Sequence, residues 1–211
     1  MASGLLIGER LRIVPEGAGA PADGRVAVRL ARGAFGSGEH ETTRSCLEVL
    51  GALEGLQGAR VLDLGSGTGV LAIAAVLLGA RHAVCVDPDS RAVATARRNC
   101  ELNGVSGAVT HIQGTLADVP PGRRFEVVLA NLYGDVLLPI LEALADRAVP
   151  GGVMLLSGIA WEYDYEVRRR LAAAGCTVLR HCMLEEYSTV VSVVQQAANP
   201  ARDGKGAGHP G

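Results

Sequence analysis

Aromatic residues are scarce in this 211-residue sequence, which has two Phe, four Tyr and one Trp. They are Phe35, Phe125, Tyr133, Trp161, Tyr163, Tyr165 and Tyr187. Lysine is scarcer still: Lys205 is the single one among 20 basic residues, a bias read here as genome composition. The formal net charge is −2. A nucleic-acid binder usually carries a basic stripe and stacking aromatics, so direct binding of long nucleic acid is disfavoured. Paired cysteines are lacking too. Cys46, Cys85, Cys100, Cys176 and Cys182 are odd in number and show no CxxC spacing. That excludes a zinc framework or a secreted disulfide scaffold and points to a reducing cytoplasm. The longest apolar run, Val70–Leu78, is far short of the roughly 18 residues of a membrane span. The N-terminal residues carry no apolar core of a signal peptide.

Glycine and proline are plentiful, at 28 and 9 residues. The composition, 48% hydrophobic and 20% charged, excludes a mostly disordered chain and suits one domain with a short appendage. From about residue 59, short apolar runs alternate with helical patterns. The runs are Arg60–Leu64, Ala83–Asp87, Val109–Gln113, Glu126–Asn131, Gly152–Ser157 and Thr177–Met183. This alternation predicts βαβ units and a parallel sheet with helices on both faces. Asp89 is placed to cap a helix near Ser90, and Asn103–Gly104 to end it. Pro150–Gly151–Gly152 is read as stopping another helix before its strand. Ser188–Val194 follows the preceding run so closely that an antiparallel hairpin is expected. Residues 1–34 form a short extension with two strand-like pieces, Leu11–Val14 and Val26–Leu30. Residues 35–198 form the main domain, and 199–211 read as a disordered tail.

The chemistry concentrates in Val61-Leu62-Asp63-Leu64-Gly65-Ser66-Gly67-Thr68-Gly69-Val70, a strand, a glycine turn and a helix start. Such a turn suits a nucleotide-like ligand at the carboxyl edge of a sheet. It departs from the dinucleotide pattern G-x-G-x-x-G, since position 70 is Val. Asp63 would oppose a pyrophosphate but suits a cation. Asp87, ending the next run, can accept both hydroxyls of a ribose. A ligand with a ribose, no phosphates and positive charge points to S-adenosylmethionine.

With these residues the sequence resembles a class I S-adenosylmethionine-dependent methyltransferase. More narrowly it resembles the PrmA family, bacterial enzymes that methylate ribosomal protein L11. Gly8 to Pro15, Ala34 to Arg44, the glycine turn with Gly79-Ala80, Val128 to Tyr133 and Ser157-Gly158-Ile159 carry the resemblance. Ser37 stands where threonine is usual. The resemblance implies an α/β, Rossmann-like fold, with a mostly parallel seven-stranded sheet, helices on both faces and an antiparallel last strand. It also implies that the family's N-terminal substrate-recognition domain is missing here, which favours a compact substrate or a partner supplying the absent surface.

Under the resemblance, Gly65 and Gly67 approach the methionine portion of the cofactor. Asp63 supports its ammonium or simply stabilises the turn. Asp87 holds the ribose, Thr115 borders the adenine and Thr43 contacts the cofactor. Phe35 covers the cofactor or joins the core. Asn131 is the main catalytic candidate and is also counted among the cofactor-binding residues; its side-chain oxygen and the carbonyl of Leu132 would align an amine. Leu132 and Tyr133 replace the two prolines common in enzymes acting on planar nitrogens, which favours an aliphatic amine. His40 is a proton acceptor or a structural histidine. Arg168-Arg169-Arg170 reads as a solvated helix face. The leading reading is an amine N-methyltransferase acting on a protein or peptide. A small-molecule methyltransferase is the alternative, and a non-catalytic cofactor-binding regulator is less favoured. No metal and no membrane partner are expected.

Overall fold

A computed structural model describes residues 4–19, 23–31 and 40–195. Phe35, residues 34–39 of the signature, the boundary at residue 35 and the tail at 199–211 lie wholly or partly outside the described residues.

The chain begins with β1 (Leu5–Ile7), β2 (Leu11–Pro15) and β3 (Val26–Leu30), a small sheet in which β1 runs antiparallel and β3 parallel to β2. The sequence pattern anticipates β2 and β3 but not the three-residue β1. Helix α1 (Glu41–Ala52) follows. Then come β4 (Arg60–Leu64), α2 (Val70–Leu77), β5 (His82–Asp87), α3 (Ser90–Leu102) and β6 (Val109–Gln113). After β7 (Phe125–Asn131), two short helices, α4 (Gly134–Leu137) and α5 (Leu141–Ala145), lead to β8 (Ala148–Ala160). Helix α6 (Trp161–Ala173), β9 (Cys176–Met183) and β10 (Tyr187–Val194) complete the described chain.

The large sheet has seven strands in the order β6-β5-β4-β7-β8-β10-β9. The pairs among β4 to β8 are parallel, and β10 is antiparallel to both β8 and β9. The expected α/β architecture and the antiparallel last strand are therefore present. One boundary differs. Pro150–Gly151–Gly152 lies inside β8, not between a helix and its strand. There Ala148 to Val153 opposes only Phe125 to Val127, so β8 bulges, and Gly151 takes φ +79°. A bulge accepts the left-handed glycine and the missing proline N–H that a regular ladder would reject.

Side chains alternate across each strand, and the core divides accordingly. Val61, Val127, Leu129, Leu155 and Val191 pack with α1, α2 and the small sheet. Leu62, Val128, Ala130, Leu156 and Val190 pack with α4, α5 and α6. Ile7, Leu11, Ile13, Val28 and Leu30 of the small sheet join the first cluster. Helix α2 is apolar throughout because it is sandwiched there; Val70 to Ala75 are all buried. Asp89 does cap α3, its carboxylate accepting from the Arg91 N–H at 2.9 Å.

Candidate active site

The strand order reverses between β5 and β7, on either side of β4, so the carboxyl end of β4 is the switch point where ligands bind in open α/β sheets. The glycine turn leaves β4 at this point. Gly65, Gly67 and Gly69 have φ of +71°, +52° and +75°, left-handed values that a side chain would strain. The N–H groups of Gly65 and Ser66 both donate to the Val86 carbonyl, at 2.8 and 3.1 Å. At Gly65 a Cβ would also collide with the Leu132 side chain. The turn thus abuts the end of β7.

Strand alternation places the polar strand-end residues on one face. Asp63, Asp87, Asn131 and Ser157 share the parity of Val61, Cys85, Leu129 and Leu155, which face α1 and α2. Asp63 is buried, and its Oδ2 accepts from the Ala72 N–H at 3.2 Å, so it braces α2. Burial, aided by the charge of Asp87 and opposed by that hydrogen bond, pushes its carboxyl up to about 7. Asp87 accepts from the Gly67 N–H at 2.9 Å through Oδ2 and from the Asp89 N–H at 3.0 Å through Oδ1. It therefore fixes both the glycine turn and the start of α3. A carboxylate has about four lone-pair positions, so these two bonds leave capacity for hydroxyl donors.

Asn131 and Thr43, 88 residues apart, meet: Asn131 Nδ2 donates to Thr43 Oγ1 at 3.2 Å. Committing the amide nitrogen to Thr43 leaves Oδ1 as an acceptor. The Leu132 N–H donates to the Ser157 carbonyl at 3.0 Å, and the Ser157 and Thr189 hydroxyls lie 2.7 Å apart behind it. Gly158, at φ +77°, completes the arrangement. A Cβ there would lie 2.7 Å from the Leu132 carbonyl oxygen and 3.1 Å from Asn131 Oδ1. Both acceptors therefore border one small volume. The sequence shows Gly158 in its motif but gives it no role.

Other residues are engaged locally. Thr115 forms a reciprocal cap with Asp118, its N–H donating to Asp118 Oδ2 at 2.8 Å. His40 caps α1, with Nδ1 2.8 Å from Thr42 Oγ1, and its ring lies 5.4 Å from that of Tyr187. Arg169 and Arg170 pair with Glu166, and Arg168 pairs with Asp164. The five cysteines are free, and burial pushes the Cys46 thiol up to about 12 and that of Cys100 to about 11.

Sequence reading missed Asn99. It is fully buried on α3, donates to the Thr68 carbonyl in the glycine turn and accepts from the Ala31 N–H, both at 2.9 Å. One turn on, Asn103 takes both backbone groups of Arg29, at 2.8 and 2.7 Å. The available signal was two asparagines four residues apart, one of them on the apolar face of a helix.

A family model described as ribosomal protein L11 methyltransferase (PrmA) matches residues 4–195. The ribosomal protein L11 methyltransferase of Geobacter metallireducens is 41% identical over 172 residues, covering 81% of this chain and 56% of the relative. That of Trichlorobacter lovleyi is 42% identical over 171 residues, covering 78% and 55%. The chain thus spans a little over half the length of these relatives. Among solved structures, a ribosomal protein L11 methylase from Lactobacillus delbrueckii subsp. bulgaricus superposes with a TM-score of 0.81 at 25% identity, covering 90% of this chain and 97% of the other. An RNA methyltransferase from Salinibacter ruber in complex with S-adenosyl-L-homocysteine shares the fold, with a TM-score of 0.59 at 21% identity over 72% of this chain and 92% of the other. No helix among the described residues is long and apolar enough to cross a membrane.

Proposed function

Because the chain belongs to the PrmA family, the ribosomal protein L11 methyltransferases, we propose that it transfers a methyl group from S-adenosylmethionine to an amine of a protein or peptide. The observation that carries this reading is the convergence of the Leu132 carbonyl and Asn131 Oδ1 beside the glycine turn.

The residues fit the cofactor. A Cβ at Gly67 would meet nothing within 4 Å, so the turn is open there, and the nearby acids Asp63 and Asp87 suit a cation better than a phosphate. In this reading Asp87 holds the ribose hydroxyls, and Gly65 and Gly67 let the methionine portion approach the backbone. Asp63 supports the ammonium, Thr43 borders the cofactor through its bond to Asn131, and Thr115 lies beside the adenine. When bound, the cofactor supplies an electrophilic methyl group on a cationic sulfonium.

The chain's own work is alignment. Asn131 Oδ1 and the Leu132 carbonyl accept the N–H groups of the incoming amine, so its lone pair is held in one direction. Alignment of this kind supplies most of the acceleration in an in-line displacement. A free lysine amine has a pKa near 10.4, so fewer than about one in a thousand is neutral at pH 7. Burial of the amine disfavours its ammonium form, and the two carbonyl acceptors need no proton of their own. A small-molecule amine and a non-catalytic regulator are less favoured, because family membership weighs against both. The cytoplasm is the compartment this reading assigns.

The test is mass spectrometry of proteins, peptides and an amine panel, ribosomal protein L11 included, incubated with isotopically labelled S-adenosylmethionine. Label is expected on a polypeptide amine. Asn131→Ala should lower turnover by about ten- to hundredfold, the worth of a hydrogen bond to a group gaining charge. Loss of the Thr43 bond should cost only about 1 kcal/mol of stability. A variant that melts early yet turns over normally per folded molecule would sink the assignment.

A further inference from the structure

The chain has few aromatic side chains, yet five of the seven gather at one place. Phe125 is core, and Phe35 lies outside the described residues. Tyr133, Trp161 and Tyr165 are 66%, 54% and 71% exposed. The Tyr133 and Tyr187 rings lie 6.5 Å apart, and the Trp161 indole N–H donates to the Tyr187 carbonyl at 3.2 Å. Tyr165 follows Trp161 by one turn of α6, and Tyr163 packs against Gly134 at the start of α4. Scattered exposed aromatics need no explanation, but a joined set does. Tyr and Trp are the residue types enriched where proteins bind one another.

This rim is continuous with the site. Tyr133 lies two residues past Asn131, and Tyr187 packs on His40, which caps the helix carrying Thr43. It is also held in place. Both carboxylate oxygens of Glu41 accept from the hairpin tip, from the Glu185 N–H at 2.8 Å and the Glu186 N–H at 3.1 Å. A surface fixed before binding loses less entropy when a partner docks.

Its charge is one-sided around Tyr133, Trp161 and Tyr187, whereas Tyr165 at its far end borders Arg168, Arg169 and His181. Segments 131–146, 161–167 and 182–195 contain no Lys or Arg. Asp164 and Glu166 are neutralised by the arginines of the next turn of α6. Asp135, Glu162, Glu185 and Glu186 are exposed and form no ion pair among the described residues. Aromatic faces attract ammonium and guanidinium groups, and these acids add to that attraction; a phosphate backbone meets repulsion.

We propose that this aromatic, acidic rim is the docking surface for a lysine-rich segment of a substrate polypeptide, whose cations lie along the rim while one amine enters beside Asn131. The proposal rests on the amine-methyltransferase reading above and deepens it.

The test measures binding without turnover. A fluorescein-labelled peptide of alternating lysine and alanine is titrated by anisotropy, alongside Glu–Ala and Ser–Ala peptides and a single-stranded oligonucleotide. The lysine peptide should bind at least about tenfold more tightly than the others, and more weakly as salt rises. Trp161→Ala, and Glu185→Gln combined with Glu186→Gln, should each weaken it by about tenfold. Glu54→Gln combined with Glu101→Gln, which removes two acids elsewhere, should not. Calorimetry with S-adenosylhomocysteine on every variant reports an intact fold. Equal affinity for the three peptides, tighter binding of the oligonucleotide, or rim variants that bind like the parent would overturn the proposal. Failure of the parent protein to bind S-adenosylhomocysteine would instead overturn the cofactor reading, and with it the substrate role of the rim.

Discussion

Asp63 is a carboxylic acid that the fold keeps partly protonated near neutrality, because burial outweighs its hydrogen bond from Ala72. Its pKa of about 7 in the folded chain lies above its ordinary value of 3.8. Between those values the folded chain binds a proton that the unfolded chain has released. Its contribution to stability is therefore fully present below about pH 4 and is lost as pH rises towards 7. A cationic ligand beside Asp63 favours the ionised form, so cofactor binding near pH 6 should release a proton. Calorimetry at pH 6 in two buffers of different ionisation enthalpy measures this directly. Asp63→Asn should abolish the buffer dependence, and a parent protein without such dependence would place Asp63 away from the cofactor's charge. The residue was legible in the sequence because it precedes a glycine turn. Its link to Ala72 was not, since it depends on how tightly α2 folds back on β4.

At the scale of elements, α3 does more than cover the sheet. Asn99 bridges the glycine turn and Ala31, while Asn103 treats Arg29 as a neighbouring strand would. Asn99→Asp keeps an acceptor for the Ala31 N–H but sets a carboxylate against the Thr68 carbonyl. That unmatched buried contact should cost about 1–3 kcal/mol and weaken cofactor binding. Asn103→Ala should loosen β3 with less effect on the cofactor. Cofactor titration and thermal melting of both variants separate the outcomes; equal loss of cofactor affinity in the two would mean that Asn99 does not act through the turn. Sequence reading singled out Gly65, Gly67 and Asp87 because a tight turn, and the chemistry expected of a ribose site, call for those residue types locally. It missed Asn99 because its partners are backbone groups 31 and 68 residues away. It misplaced Pro150–Gly151–Gly152 because a strand bulge and a helix stop use the same residues.

For the molecule as a whole, alternating apolar runs and amphipathic segments revealed the sheet and both helical layers, since each βαβ unit repeats one pattern. The short β1 escaped because three residues carry no period. The sequence reading set residues 1–34 apart as an extension, yet Leu11 lies fully buried in the cluster that holds α1 and α2. Leu11→Ala should therefore destabilise by about 2–5 kcal/mol. One transition, seen equally by far-ultraviolet circular dichroism and by Trp161 fluorescence on the other helical layer, is the expected result. A separate early step confined to the N-terminal strands would show that they fold on their own.

The placement of β10 has a consequence for chain synthesis. It is the last described strand, yet it lies between β8 and β9. Until residues 187–194 leave the ribosome, β9 has no sheet neighbour and β8 has an open edge. The Thr189 hydroxyl that meets Ser157 behind the acceptor pair arrives with that strand. A nascent chain can thus carry its glycine turn, Asn131, Leu132 and Gly158 while the strand that backs Ser157 is still missing. The support behind Ser157 is therefore translated after every residue it backs.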